Sequence, residues 1–87
     1  MISIALTTYN GIRFLKEQIC SILAQTITDF ELVIRDDSSV DGTWELLEEF
    51  ARRDKRIKIF KNNKNLGFKK NFEQAIRMCK GDFIALS

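Results

Sequence analysis

The sequence predicts an α/β domain on a parallel sheet, and three observations carry that expectation. Strand-like apolar runs fall near residues 2–8, 30–36, 56–60 and 82–86. Between them, apolar residues return at three- or four-residue intervals, the spacing of one helix face. Short polar or glycine-containing breaks separate most of these runs. Strict alternation of strand and helix implies parallel strands joined by right-handed crossovers, with helices covering both sheet faces in a three-layer αβα arrangement.

Each element has its own justification. Ile2 to Leu6 begin the first strand, which runs into Thr7, Thr8, Tyr9 and an Asn10-Gly11 break. Ile12, Leu15, Ile19, Ile22 and Leu23 mark the first helix. Leu32-Val33-Ile34 reads as a strand buried on both faces, as does Phe83 to Leu86. Trp44, Leu47, Phe50 and Ala51 mark the second helix; Phe68, Phe72, Ala75, Ile76 and Cys79 mark the third. Ile57 and Ile59, mixed with Lys58 and Lys61, have the character of an edge strand. Asn10 or Gly11, Asp41 and Asn65 can each open a helix, and Gly81 is expected to close the third in a left-handed conformation. A strand order of 3-2-1-4 follows. It leaves the last strand at an open edge, so the expectation is that residues 1–87 form one domain cut short, with self-association through that strand as the other option.

Size and charge narrow the function classes. Eighty-seven residues support one small core, and 45% apolar with 30% charged residues is an ordinary globular balance. Cys20 and Cys79 lie far apart, outside any zinc or disulfide pattern, which suggests a reduced, cytoplasmic setting. No run approaches the roughly 18 apolar residues of a membrane span, which leaves room for contact at the inner membrane face only. The net charge of +2 hides an asymmetry: residues 1–50 carry three basic and nine acidic groups, residues 51–87 eleven basic and three acidic. The basic half could attract phosphate or form a solvated face. Nucleic acid is the weaker option, since only Phe60, Phe68 and Phe72 accompany the lysines and helical spacing assigns Phe68 and Phe72 to the core.

The strand ends hold the candidate site. Thr7-Thr8-Tyr9-Asn10 follows the first strand, Asp36-Asp37-Ser38-Ser39-Val40-Asp41-Gly42-Thr43 the second, and Asn65-Leu66-Gly67-Phe68 precedes the third helix. Together, in this order, they resemble the amino-terminal portion of a family 2 glycosyltransferase. The resemblance implies a Rossmann-like half of a GT-A domain that recognises a UDP- or dTDP-sugar. By resemblance Asp37 accepts the N3–H of the base, Thr7 and Tyr9 line the nucleoside, Asp36 supports them, and Lys70 stands where a family arginine faces the diphosphate. A carboxylate suits this task because uracil and thymine present a donor at N3 where cytosine presents an acceptor. The alternative is that Asp36 and Asp37 cap a turn, Tyr9 fills a gap, and Phe68 and Phe72 enter the core beside a solvated helix start.

Ser38, Ser39, Asp41 and Gly42 are expected to be structural. Residues 37–48 also match the spacing of a calcium-binding EF-hand loop, but the strand-like Leu32 to Ile34 replaces the entering helix and Trp44 occupies a usually aliphatic position. No catalytic or metal-binding residue is assigned within the chain. The Asp-x-Asp motif of the family would be expected after Ser87, and the base and acceptor site beyond it. The complete enzyme, by resemblance, uses Mg²⁺ or Mn²⁺ and transfers the sugar with inversion to a saccharide or lipid-linked acceptor, in polysaccharide or cell-wall synthesis. The competing function is a non-catalytic nucleotide-binding or assembly module.

Overall fold

The computed structural model describes residues 1–24, 29–81 and 83–86. The chain runs β1 (Ile2–Thr8), α1 (Ile12–Leu23), β2 (Phe30–Asp36), α2 (Thr43–Arg53), β3 (Ile57–Lys61), α3 (Phe68–Arg77) and β4 (Phe83–Leu86). Four strands and three helices thus alternate along the chain and form the parallel α/β arrangement that alternation predicts. β1 pairs in parallel with β2, β2 with β3, and β4 with β1, in the order β3-β2-β1-β4. Of residues 83–86 only the backbone is described, so the expected burial of Phe83 to Leu86 on both faces, like a strand start at Asp82, lies outside what the structure describes.

Alternation along the strands divides the layers. Ile4 and Leu6 of β1 with Phe30, Leu32 and Ile34 of β2 bury their side chains among Leu15, Ile19 and Ile22 of α1 and Leu47 of α2. These residues are the main core. On the other face lie Ser3, Ala5, Glu31, Val33 and Arg35, covered by α3, which packs on β1 and β2. That face mixes Ala5, Val33 and Ala75, all fully buried, with polar groups. Truncating Leu47 or Leu15 to alanine would cost about 2–5 kcal/mol, whereas the α3 side depends on hydrogen bonds. No helix among the described residues is long and apolar enough to cross a membrane.

Three local expectations are corrected. α3 starts after Gly67, not at Asn65, because Gly67 takes φ +89° and its carbonyl accepts the Asn71 N–H at 3.0 Å. α3 ends at Arg77, before Cys79 and Gly81. Gly81 is not a left-handed cap; it is small because a Cβ there would lie 2.6 Å from Ser3 Oγ, 2.7 Å from Ser3 N and 2.8 Å from Met1 O. The chain must pass against the start of β1 at that point.

Beside this crossing sits a buried polar cluster. Glu31, 2% exposed, accepts from the Ser3 hydroxyl, the Lys80 N–H (2.5 Å) and Lys58 Nζ (2.9 Å). Burial pushes its carboxyl up, but those three donors more than reverse this and hold it down at about 2. Burial, with the Glu31 charge nearby, pushes the Cys79 thiol up.

Candidate functional site

The carboxyl ends of β1 and β2 meet. Thr8 is in register with Asp36, and the Asp37 N–H continues the ladder by donating to the Thr8 carbonyl at 2.9 Å. Past them, the β1–α1 and β2–α2 loops hold each other. Asn10 N donates to Ser39 Oγ (2.8 Å), Val40 N to Asn10 Oδ1 (2.9 Å) and Ile12 N to Asp41 Oδ2 (3.2 Å). Gly42, at φ +95°, lets the second loop turn into α2, while Asn10 and Ser38 also take positive φ. Asp41 accepts Thr43 N and Thr43 Oγ1, so it helps to hold the start of α2, as expected, and also receives the first amide of α1. Residues 43–48 lie within α2, which leaves them unable to wrap a cation as an EF-hand loop does.

Asp36 is fully buried and turned inward. Its Oδ1 accepts Thr8 Oγ1 (2.7 Å) and Ser39 Oγ (2.6 Å), and its Oδ2 accepts Ser39 N (2.9 Å). It therefore ties β1 to the loop that follows β2.

Asp37 faces a different set. Its Oδ1 accepts Asn62 Nδ2 (2.8 Å) and Leu66 N (2.7 Å), and its Oδ2 accepts Gly67 N (2.9 Å). Burial pushes the carboxyl up, while Leu66, Asn62 and Gly67 together pull it below the ordinary aspartate range, so it is charged at neutral pH. Each carboxylate oxygen has two acceptor positions, which leaves one on Oδ2. Although only 3% exposed, Asp37 lines an open cavity of about 420 Å³ with Thr7, Thr8, Tyr9, Asn65, Gly67, Phe68 and Asn71.

The cavity thus brings together Thr7, Tyr9 and Asp37. Tyr9 is 56% exposed and does not fill a gap in the core. Lys70 is exposed and is not among the cavity's lining residues. Phe68, part of the third motif but expected in the core, and Asn71, which stands beside Lys69 and Lys70 where a diphosphate contact is expected, also line the site. Phe68, assigned to the core by helical spacing, is 71% exposed, lines the cavity and meets Phe72 edge to face at 5.4 Å. Asn71, next to Lys70, is 1% exposed and donates through Nδ2 to the Arg35 carbonyl at 3.0 Å. The step from Gly67 into α3 displaces Phe68 from the buried face; Asn71 and Ala75, four apart, occupy that face.

An acid, an aromatic ring and hydroxyls around an open cavity at the carboxyl ends of parallel strands define an α/β domain of the ligand-binding, doubly wound class. The chain belongs to Glycosyl transferase family 2, whose family model matches residues 3–87. It is similar to the chondroitin synthase of Escherichia coli, 36% identical across 97% of this chain and 12% of the synthase. Among solved structures, S. aureus TarS 1-349 in complex with UDP-GlcNAc is 28% identical with a TM-score of 0.88, over 98% of this chain and 25% of that one. The mannosyltransferase PcManGT from Pyrobaculum calidifontis, in complex with GDP-Man and Mn²⁺, shares the fold at 21% identity and a TM-score of 0.87, over 95% of this chain and 25% of that one. This chain spans 24% to 34% of several other curated relatives that it matches. These similarities do not favour the assembly-module alternative.

Proposed function

We propose that this chain supplies nucleotide recognition to a GT-A-type glycosyltransferase that moves a sugar from a UDP- or dTDP-linked donor to a saccharide or lipid-linked acceptor with inversion, at the cytoplasmic side. The observation that carries the proposal is the meeting of Asp37, Tyr9 and Thr7 in one cavity at the ends of β1 and β2. The remaining acceptor position of Asp37 Oδ2 takes the N3–H of uracil or thymine. Tyr9 offers its ring face to the base, and Thr7 a hydroxyl to the nucleoside. Cytosine would set a lone pair against a charged oxygen there, so it binds more weakly. TarS bound to UDP-GlcNAc, at a TM-score of 0.88, supports a uridine donor.

A divalent cation would neutralise the diphosphate leaving group in the whole enzyme. Among the described residues no three carboxylate, thiol or imidazole groups gather to hold one, so the residues present do not fit a cation site and no transfer step is assigned to them. The test is calorimetric titration with UDP and dTDP against CDP, with and without Mg²⁺ or Mn²⁺. Preference for UDP and dTDP over CDP supports the proposal. Equal binding of UDP and CDP removes the role of Asp37.

A further inference from the structure

We infer that Asn62 is a positioning residue for base selection: it dictates which oxygen of Asp37 is left for the ligand, and Arg35 dictates the orientation of Asn62. This inference rests on the nucleotide reading above. Asn62 follows β3 immediately, with its backbone N–H on the Asp36 carbonyl at 2.9 Å and its side chain buried. Its Oδ1 accepts Arg35 Nε at 2.6 Å. Its Nδ2 donates to Asp37 Oδ1 at 2.8 Å and to Asn71 Oδ1 at 2.9 Å.

The orientation of that amide has one solution. A guanidinium only donates and a carboxylate only accepts, so the carbonyl must face Arg35 and the NH₂ must face Asp37. Asn71 closes the ring by donating to the Arg35 carbonyl at 3.0 Å. With Asn62 and Leu66 on Oδ1, both acceptor positions of that oxygen are taken, and only Oδ2 retains one. A single charged acceptor position rewards a base with N3–H and penalises one without it. Remove the Asn62 donor, and Oδ1 also becomes available, the carboxylate loses its fixed rotation, and selection between bases weakens.

Asn62→Asp keeps the shape and replaces the donor with an acceptor. The expected result is at least a tenfold fall in the ratio of UDP to CDP affinity, measured by titration of the folded variant. A role confined to packing would weaken both nucleotides alike, so an unchanged ratio overturns the inference. Where Asn62→Asp does not fold, Arg35→Met reads the same relay from its other end. That variant should lower the ratio at least threefold, and Arg35→Lys, which restores a donor, should recover most of it; no change in Arg35→Met again overturns the inference. A wild-type protein with no preference for UDP over CDP is a separate failure, that of the base-recognition reading itself, and this inference falls with it.

Discussion

Glu31 lies near the start of β2 and Asp37 directly past its end, both buried and both held well ionised, yet their surroundings differ in one respect. Glu31 has a cation, Lys58, at 2.9 Å. Among the described residues, Asp37 has only neutral donors: two backbone amides and the Asn62 side chain. A charge already matched by an ammonium stabilises the fold and has little left for a ligand. A charge held by dipoles alone keeps its field, and the cavity beside it is where that field can be used. The contrast separates an acid matched by a cation near the start of β2 from one matched by dipoles alone just past its end.

The sharpest way to break this contrast is to neutralise each acid in turn. Glu31→Gln should destabilise the protein by roughly 3 kcal/mol in urea unfolding, because it loses the Lys58 pair and turns an NH₂ toward one of its donors, while UDP affinity stays unchanged. Its pH dependence follows from the sign of the shift: with the carboxyl depressed from 4.5 to about 2, its stabilisation is complete above pH 4.5 and disappears as pH falls through about 2. Acid unfolding of Glu31→Gln should be correspondingly flatter. The acid sensitivity that remains belongs to Asp37, Asp41 and Asp54, all of which are depressed as well.

Asp37→Asn should lose nucleotide binding, and some stability with it, because the charge also holds Asn62, Leu66 and Gly67. Losing a charged acceptor at about 1.5–3 kcal/mol corresponds to a ten- to hundredfold fall in UDP affinity, and the preference over CDP should vanish in the same titration. Gly81→Ala probes the Glu31 end without touching charge. Two of the atoms its Cβ would meet are backbone, so about 1–3 kcal/mol of stability should be lost, read from the unfolding midpoint, with nucleotide binding intact. Tyr9→Ala should weaken UDP by about 1 kcal/mol, roughly fivefold, and leave stability unchanged because the ring is largely in solvent. Lys70→Ala, outside the cavity lining, should change UDP affinity less than about threefold in low salt, within the range of surface charges.

Much of the fold was legible because each element buries a regular stripe. Leu15, Ile19 and Ile22 keep helical spacing, and Ile4, Leu6, Leu32 and Ile34 keep the two-residue strand repeat. The face under α3 was less legible. Glu31 lies in the strand whose Leu32-Val33-Ile34 reads as buried on both faces, and nothing in its neighbours in sequence announces Ser3, Lys58 and Lys80 as partners. Gly81 resembled a helix cap because glycine after a basic helix end usually is one; its reason was a contact with β1, 78 residues distant in sequence from Ser3. In the site, Asp37 and Tyr9 could be found since the acid and ring follow apolar strands directly. Phe68 was misassigned because periodicity was extended to the first residue of α3, where the turn at Gly67 resets the face. Asn62 gave no signal at all: an asparagine after a strand usually marks a loop, and only the positions of Arg35, Asp37 and Asn71 give it work.

The mutual bonding of the first two loops has a consequence for how this surface meets any partner. The amides of Asn10, Ile12 and Val40 are each held by the opposite loop. Hydrogen exchange at these three positions should therefore rise and fall as a unit, and lengthening one loop by a residue should dislocate the other. The shelf that carries Tyr9 is assembled when the chain folds, so its ordering entropy is spent before a guest arrives and does not count against the encounter.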